Sequence, residues 1–222
     1  MLIQKNTELF SFDKTIAKDI FEGTTYPWEV LAKIGDFIKK IGATLPADEY
    51  ERIGDKNIWI AKDAVVFPSA FIGDNCIIDH GAEIRHGAFI RGNAIVGKNA
   101  VVGNSTELKN VLLFDNVQVP HYNYVGDSVL GFKSHMGAGS ITSNVKSDKT
   151  LVVVKTDEET IETGLKKFGA MLGDNVEVGC GSVLCPGSII GNNTNIYPLS
   201  MVRGVVAANS IYKKAGEVVE KR

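Results

Sequence analysis

The sequence lacks the features that would assign it to several classes of protein. Its 222 residues include only three cysteines, an odd number without CxxC metal spacing, which predicts free thiols and a reducing, cytoplasmic location. No run approaches the roughly 18 apolar residues of a membrane-spanning helix, and the start MLIQKNTELF does not have the form of a secretory signal. A net charge of −2 provides no basic field for nucleic acid or membrane surfaces. We therefore expect a soluble globular protein that binds any anion through a local cluster.

What the sequence does contain is a six-residue repeat. From residue 60 an aliphatic side chain falls at every sixth position: Ile60, Val66, Ile72, Ile78, Ile84, Ile90, Val96, Val102 and Leu108. A mostly small residue follows each of them four positions later: Ala64, Ala70, Cys76, Ala82, Ala88, Ala94, Ala100, Thr106 and Leu112. This pattern is typical of a parallel β-helix, in which the aliphatic residue points inward and the small residue lets the chain turn a corner. Three repeats would close one triangular coil, and successive coils would stack about 4.8 Å apart.

After Leu108 the repeat slips to a spacing of five at Leu113, continues, and then has one long interruption. Its later positions are Leu113, Val119, Val125, Leu130, Met136, Leu172, Val178, Leu184, Ile190, Ile196 and Val202. Residues 143–171 break the repeat and are rich in lysine, which predicts a loop that projects from the coil, with a hairpin around LVVVK. We therefore assign the β-helix to residues 58–222, with the final residues as an extended strand at its end.

Residues 1–57 lack the repeat and are predicted to be helical. Pro27 is expected to open a helix over PWEVLAKIGDFIKKIG, in which apolar residues fall at helical spacing before Gly42. A shorter helix is predicted around TIAKDIF. We expect residues 1–57 to form a helical cap or arm that covers the open end of the β-helix, where strand edges would otherwise be exposed.

A pair of cations marks the first candidate site. Arg91 and Lys109 are separated by three repeats, so one coil would stack them on the same face, about 5 Å apart. Two cations at that distance repel each other unless an anion lies between them, which suggests a phosphate site. Spacing alone leaves the alternative open that both are solvated surface side chains, as most Lys and Arg residues are.

A cluster of polar and aromatic residues, VPHYNYVGD, marks the second candidate site. His121 lies two positions after the inward Val119 and should therefore face outward, beside the coil of the stacked cations. Histidine is the natural proton acceptor near neutral pH, and Asn123 and Tyr124 add hydrogen-bonding groups close by. Composition alone favours a surface histidine at an irregular corner.

Three segments carry a resemblance to a known family. VGNSTELKN, PHYNYVGDS and MGAGSITSN resemble the acetyltransferase half of the bifunctional N-acetylglucosamine-1-phosphate uridyltransferase and glucosamine-1-phosphate acetyltransferase. SNVKSDK and KKFGAMLGDN look more like the related long-form sugar-1-phosphate nucleotidylyltransferases, which have a C-terminal β-helix. The resemblance implies an all-β fold, a left-handed parallel β-helix, and a homotrimer in which acetyl-CoA binds between neighbouring subunits.

The resemblance also implies a role for each matched residue. His121 would be the general base, and the sugar and phosphate contacts would be Arg91, Lys109, Tyr124, Asn144 and Lys149. Contacts to the acetyl and pantetheine portions of the co-substrate acetyl-CoA would fall at Ala138, Cys180 and Pro198. The sequence departs from the family at His135, where bacterial-type enzymes have Asn, and at Val145, where they have Tyr. The loop before Lys149 is also one residue short, so the acceptor sugar stays open.

These matches predict an acetyl-CoA-dependent N-acetyltransferase that acts on an amino-sugar phosphate by direct acyl transfer. His121 would remove the amine proton, and a backbone N–H near Ala138 or Gly139 could stabilise the oxyanion. Uridyl transfer in this lineage needs a separate domain with a Gly-rich LAAGxGTR loop and a downstream PK lysine. Residues 1–50 contain neither, so we do not expect that activity from this chain alone.

Two other functions compete with acyl transfer. Some trimeric hexapeptide proteins, the γ-class carbonic anhydrases, bind zinc through one histidine and a pair five residues apart. Here His80 and His86 are six apart, and His121 and His135 are fourteen apart, so we predict no metal site. The other alternative is a non-catalytic trimeric scaffold or regulatory protein that has kept the fold and lost turnover.

Overall fold

The computed structural model describes residues 1–214 and 216–221. In these residues, two α-helices, α1 (Asn6–Leu9) and α2 (Ile34–Gly42), and three 3-10 turns (Phe12–Lys14, Lys18–Phe21 and Pro27–Val30) precede the first strand. The strands are β1 Tyr50–Arg52, β2 Ile58–Ala61, β3 Val65–Val66, β4 Phe71–Ile72, β5 Cys76–Ile78, β6 Glu83–Ile84, β7 Phe89–Ile90, β8 Ala94–Val96, β9 Val101–Asn104, β10 Glu107–Leu113, β11 Gln118–His121, β12 Tyr124–Leu130, β13 His135–Met136, β14 Ile141–Thr142, β15 Val153–Lys155, β16 Thr160–Glu162, β17 Ala170–Leu172, β18 Glu177–Val178, β19 Val183–Leu184, β20 Ser188–Ile190, β21 Asn195–Ile196, β22 Met201–Val202, β23 Val205–Val206, β24 Ser210–Lys214 and β25 Glu217–Glu220.

Short parallel strands stack into a three-walled prism. Wall 1 contains β2, β5, β8, β10, β12, β17, β20 and β23, and wall 2 contains β4, β7, β10, β12, β14, β19 and β22. Wall 3 contains β3, β6, β9, β11, β13, β18, β21 and β24. The long strands β10 and β12 continue from wall 2 into wall 1. The fold is the left-handed parallel β-helix that we expected, so the predicted fold class is confirmed.

The strand register explains the slip in the repeat. Cys76 pairs with Ala94, three full repeats later, but Ala94 pairs with Val111, which is one position short of three repeats. The next coil is shortened in the same way, because β10 and β12 pair Val111 with Ser128. A shortened corner therefore removes one residue from each of these coils without disturbing the inward positions.

The inward repeat positions form the core of the prism. All of them from Ile78 to Val202 are at most 3% exposed. The small residues Cys76, Ala82 and Ala94 lie beside them and are fully buried. Each such aliphatic side chain contributes about 1.5–3 kcal/mol when it is removed from water, so the regular repeat stabilises the whole length of the solenoid.

The N-terminal segment lies along wall 1, whereas we predicted that it would cap an open end. α2 contacts β5, β8 and β10, and the Lys14 carbonyl accepts a 3.0 Å hydrogen bond from the Asp115 N–H. The outward side chains of wall 1 are apolar and fully buried beneath this segment: Ile77, Ile95, Leu112, Val129, Met171 and Ile189. The strand edge at the start of the prism is instead paired by β1, which runs antiparallel to β2.

The helix that we predicted from Pro27 is divided in two. A 3-10 turn covers Pro27–Val30, and the α-helix begins only at Ile34. The shorter helix predicted around TIAKDIF is a 3-10 turn over Lys18–Phe21. Packing against a straight wall of strands, rather than local propensity, sets these interruptions.

The interrupting loop contains the predicted hairpin but folds back instead of only projecting. β15 and β16 pair antiparallel, with Val154 opposite Ile161. Val152 and Phe168 are fully buried, so the loop packs onto the solenoid and the N-terminal segment. At the far end, β24 continues wall 3 as an extended strand and forms a hairpin with β25. None of the helices in residues 1–214 and 216–221 is long and apolar enough to cross a bilayer.

Candidate active site

One exposed edge of the prism, between walls 3 and 2, carries the predicted base. His121 ends β11, and the next residue, Tyr122, has a left-handed conformation (φ 53°) that turns the chain toward wall 2. The same turn recurs in later coils, where Gly139, Gly181 and Leu199 also have positive φ. The residues that precede these turns are His121, Ala138, Cys180 and Pro198, and we call this row the His121 edge.

Backbone hydrogen bonds make the His121 edge continuous. Each turn residue donates to the edge residue of the previous coil: Gly139 N–H to the His121 carbonyl (3.0 Å), Gly181 N–H to the Ala138 carbonyl (2.9 Å) and Leu199 N–H to the Cys180 carbonyl (2.9 Å). All four edge residues are exposed. Three strand spacings separate the first from the last, a distance of about 14 Å. The predicted base and the residues matched to acetyl-CoA contacts thus share one surface line.

The two predicted clamp cations lie side by side on wall 2. β7 pairs with β10 in a register that joins Ile90 to Leu108, and the Arg91 N–H continues it with a 2.9 Å hydrogen bond to the Leu108 carbonyl. Arg91 and Lys109 therefore occupy neighbouring strands, each one residue beyond the buried pair. The expected stacking is present in the backbone.

Carboxylates of the protein already neutralise both cations. Arg91 Nη1 lies 2.9 Å from Glu107 Oε1, and Lys109 Nζ lies 2.9 Å from Asp127 Oδ1. We call these four residues the Arg91–Lys109 cluster. Its formal charge is zero, so a bound phosphate is not needed to relieve repulsion between the two cations. The premise that led us to a phosphate site is therefore corrected by these two ion pairs.

Asp127 is the centre of the hydrogen bonds in this cluster. Its side chain is 5% exposed and accepts from Lys109, from Asn110 Nδ2 (3.0 Å) and from Asn144 Nδ2. A buried carboxylate is tolerated only when such partners replace water. The same Asn144 amide donates to the Tyr124 hydroxyl over 3.2 Å. The structure thus brings together Lys109, Tyr124 and Asn144, three of the contacts that the resemblance implies.

Tyr124 keeps its proton in this setting. Burial raises the pKa of its hydroxyl, and the nearby Asp127 and Glu107 carboxylates raise it further. A protonated phenol can donate a hydrogen bond to a ligand oxygen. Tyr124 lies opposite Glu107 in the pairing of β12 with β10, one strand from Lys109.

The buried side chain of Asn123 holds the corner between His121 and Tyr124. It is 2% exposed, and its Oδ1 accepts the His121 N–H over 3.1 Å. Its Nδ2 donates to the carbonyls of Gly137 (2.9 Å) and Ser140 (3.1 Å) in the next coil. One amide therefore fixes the backbone that presents His121.

Two of our predicted contacts are not brought into this arrangement. Lys149 lies exposed in a turn of the loop, and none of the described hydrogen bonds or ion pairs joins it to the Arg91–Lys109 cluster. The Gly139 N–H, one of our candidates for the oxyanion, is already used by the His121 carbonyl. His135, one of the residues at which the sequence departs from the family, pairs with Glu177 on wall 3. Its Nδ1 lies 2.7 Å from Glu177 Oε2.

Three residues with clear structural roles were not identified as such from the sequence. Glu107 and Lys109 are both outward positions of β10, and this alternation could have indicated that Glu107 lies beside Arg91. Asp127 directly follows the residues YVG. It reaches Lys109 because the coil is shortened, and the only trace of this shortening in the sequence is the change of the repeat spacing from six to five. Asn123 was noted only as a polar neighbour, because its burial depends on the corner geometry.

The cysteines differ in exposure, as their positions in the repeat suggest. Cys76 is fully buried, and burial raises the pKa of its thiol to about 12, which leaves it unreactive. Cys180 is exposed on the His121 edge. Among residues 1–214 and 216–221, no three His, Cys, Asp or Glu side chains are grouped so that they could hold a metal ion.

Comparisons with known proteins agree with the sequence resemblance. A protein described as bifunctional protein GlmU from Methanococcus maripaludis is 32% identical over 199 residues, which are 89% of this chain and 48% of that protein. A bifunctional sugar-1-phosphate nucleotidylyltransferase/acetyltransferase from Sulfurisphaera tokodaii is 33% identical over 107 residues, 48% of this chain and 27% of that protein. The chain thus spans about half, or less, of the length of these curated relatives.

A solved structure of a hexapeptide transferase family protein from Anaplasma phagocytophilum aligns with 75% of this chain and 81% of its own, at 14% identity and a TM-score of 0.42. Two family descriptions match directly: GMPPB C-terminal domain over residues 72–184, and bacterial transferase hexapeptide (six repeats) over residues 169–204. The first covers just over half of the chain. The resemblance inferred from the sequence is confirmed, and the chain belongs to the family of the GMPPB C-terminal domain, with the repeats of the bacterial hexapeptide transferases.

Proposed function

We propose that the chain transfers an acetyl group from acetyl-CoA to the amine of an amino-sugar phosphate, such as glucosamine-1-phosphate. The observation that carries this proposal is the His121 edge, where the candidate base stands in register with Ala138, Cys180 and Pro198. These matched residues are widely separated in the sequence, yet they form one line on the surface.

The His121 edge suits the pantetheine arm of acetyl-CoA. It is exposed, it is about 14 Å long and its small side chains leave the backbone accessible. An extended, uncharged arm could lie along it with the thioester next to His121. In this proposal Ala138, Cys180 and Pro198 contact the co-substrate through backbone and short side-chain atoms.

The acceptor would bind on the wall 2 side of the same corner. Tyr124 and Asn144 offer hydrogen bonds to sugar hydroxyls, and Arg91, which is half-exposed, can exchange its Glu107 partner for a phosphate oxygen. Lys109 is held more tightly by the buried Asp127 and would act from a fixed position. Lys149 stays a proposed phosphate contact, one that needs the loop to rearrange or to reach a neighbouring subunit.

Acyl transfer at this corner requires one proton acceptor. The amine nitrogen attacks the thioester carbonyl, His121 accepts the amine proton, and the C–S bond breaks to release CoA thiolate. The Ala138 backbone N–H is the remaining candidate for the oxyanion, since the Gly139 N–H is occupied.

A non-catalytic scaffold is the second candidate, and one observation favours it. The Arg91–Lys109 cluster is neutral as it stands, whereas an efficient phosphate clamp would keep its positive charge available. A scaffold with the same fold would need neither acetyl-CoA nor an acceptor.

We further propose a homotrimer in the cytoplasm. Phe71, Phe89 and Met201 are between 43% and 59% exposed on wall 2, and a neighbouring subunit would cover them. The three free cysteines fit a reducing compartment. Light scattering would then report three times the chain mass of 24.0 kDa, and the mass of one chain would contradict this assembly.

The direct test is an acceptor screen with acetyl-CoA. We expect thiol release with glucosamine-1-phosphate or galactosamine-1-phosphate, and little with amino sugars that lack a phosphate, because the Arg91–Lys109 cluster would have no anion to hold. Nucleotide-linked amino sugars form a third arm of the screen. Calorimetry with acetyl-CoA separates the two candidate functions, since saturable binding supports the enzyme, and absence of both binding and turnover supports the scaffold.

Replacing Asn123 tests whether the corner must be held rigidly. Asn123→Ala removes the bonds that fix the His121 backbone, so we expect kcat to fall about tenfold to a hundredfold while KM for acetyl-CoA changes little. Asn123→Asp keeps the acceptor for the His121 N–H but turns a buried carboxylate toward the Gly137 and Ser140 carbonyls, so it should lose more activity and more stability than the alanine variant. Equal effects of both changes on kcat and on KM would point to general loss of structure instead.

A further inference from the structure

A cleft lined by both polar and apolar residues lies between the hairpin β15–β16 and the coils that contain Cys185 and Arg203. It encloses about 680 Å³, a volume in the range of small-molecule sites. We call it the hairpin cleft. Its walls are formed by Ser143, residues 145–148, Val153, residues 155–157, residues 185–187 and residues 203–204, and the Asn144 side chain is turned away toward Asp127.

The cleft is built on rigid elements. Val152 and Val154 of the hairpin are at most 1% exposed. The hairpin packs closely on the coil at Gly187, where an added Cβ would lie only 2.7 Å from Val152 Cγ1. The buried Phe168 packs on Trp28 of the N-terminal segment, with ring centroids 5.7 Å apart. The walls are therefore formed before any ligand arrives.

The hairpin cleft, unlike the Arg91–Lys109 cluster, has positive charge without carboxylate partners. Lys146 is paired with Asp148, but neither Lys155 nor Arg203 forms an ion pair within residues 1–214 and 216–221. Asp157 is the other acidic residue on the walls, so three cations face two carboxylates. Lys155 and Arg203 come from different elements that adjoin here, since a Cβ at Gly204 would lie 3.6 Å from the Lys155 carbonyl oxygen.

Other groups of the walls fit the rest of a phosphorylated molecule. Ser143 and Ser147 add hydroxyl groups that can donate to phosphate or sugar oxygens. Val145, Val153 and Pro186 provide an apolar side for an organic moiety. Two unpaired cations close to hydroxyl donors are the usual surroundings of a bound phosphate.

We propose that the hairpin cleft binds a phosphate-bearing ligand of nucleotide size, with Lys155 and Arg203 as the phosphate contacts. The site is separate from the Arg91–Lys109 cluster, and it does not depend on the acetyltransferase proposal, because binding alone defines it. The phosphate could belong to a nucleoside diphosphate or to the 3′-phosphorylated nucleotide end of CoA. Both share the chemistry that the two cations recognise.

Calorimetry on the full chain tests this site with three probes: inorganic pyrophosphate, UDP and adenosine 3′,5′-bisphosphate. We expect saturable binding of at least one probe, weakened about tenfold or more in Lys155→Gln/Arg203→Gln. Lys166→Gln/Lys167→Gln, which removes two exposed charges from the same loop, is the matched control and should bind within about twofold of wild type. Arg91→Gln/Lys109→Gln should also retain the binding, which separates this site from the clamp.

The relative affinities of the probes identify the source of the phosphate. Tightest binding of UDP indicates a nucleoside diphosphate, and tightest binding of adenosine 3′,5′-bisphosphate indicates the nucleotide end of CoA. If pyrophosphate binds as tightly as the two nucleotides, the site recognises the phosphates alone. The proposal is overturned if no probe binds, if Lys155→Gln/Arg203→Gln binds like wild type with an unchanged circular dichroism spectrum, or if Arg91→Gln/Lys109→Gln abolishes the same binding.

Discussion

Replacing His121 with alanine is expected to lower kcat for acetyl transfer by about 10²- to 10⁴-fold at neutral pH, the usual contribution of a positioned general base. The KM values for both substrates should change much less, since His121 is proposed to act on the amine proton rather than to hold either substrate. The measurement is thiol release with saturating acetyl-CoA and the best acceptor from the screen. Wild-type rates in the His121→Ala variant would show that His121 is not the general base.

His86 provides a matched control for this variant. It is also exposed, and it lies in the same vertical row, because Asn104 pairs with His121 and the Asn104 side chain donates to the His86 carbonyl over 2.9 Å. His86→Ala should leave kcat within about twofold of wild type. A loss of similar size in both variants would indicate that any histidine removed from this row disturbs the prism.

Replacing Phe114 with alanine is expected to cost about 3–5 kcal/mol of unfolding free energy, as truncation of a fully buried phenylalanine usually does. Phe114 is 0% exposed at the corner where wall 1 meets the N-terminal segment. Its ring lies 5.1 Å from that of Phe10 and 6.0 Å from that of Phe21. The variant therefore leaves a cavity at the place where the segment docks, and denaturant unfolding measures the loss.

A double-mutant cycle with Phe10 tests whether the docking of the segment carries this effect. If Phe10 and Phe114 are in contact, Phe10→Ala combined with Phe114→Ala should cost less than the sum of the two single changes, with a coupling of about 0.5–1.5 kcal/mol. Strict additivity would contradict the docked position of the N-terminal segment. Phe114→Leu serves if the alanine variant does not fold, because it leaves a smaller cavity.

The fold was predictable because its signal is repeated many times. The inward positions that the six-residue period identified between Ile78 and Val202 are all buried. The placement of the N-terminal segment was not predicted, although the outward residues Ile77, Ile95 and Leu112 already indicated that wall 1 is covered. Their apolar character becomes meaningful only once the strand alternation assigns them to one wall.

The candidate site was predictable in part for the same reason. Because the coils have a regular length, residues one coil apart in the sequence lie on adjoining strands. The spacing of Arg91 and Lys109 was therefore enough to place them next to each other. Their carboxylate partners were not predicted: Glu107 reaches Arg91 diagonally, which only the strand alternation indicates, and Asp127 reaches Lys109 across a shortened coil. Side-chain partners of this kind depend on corner geometry that the period does not encode.

The sequence by itself determined that this protein is a parallel β-helix and where the candidate base and cations lie along it, since a periodic chain repeats the same local instruction in every coil. The tertiary structure alone decided that the cations are neutralised, that the N-terminal segment lies along a wall, and that the interrupting loop closes a charged cleft. These features arise where the period is broken, and there long-range packing and electrostatics, rather than local pattern, select the conformation.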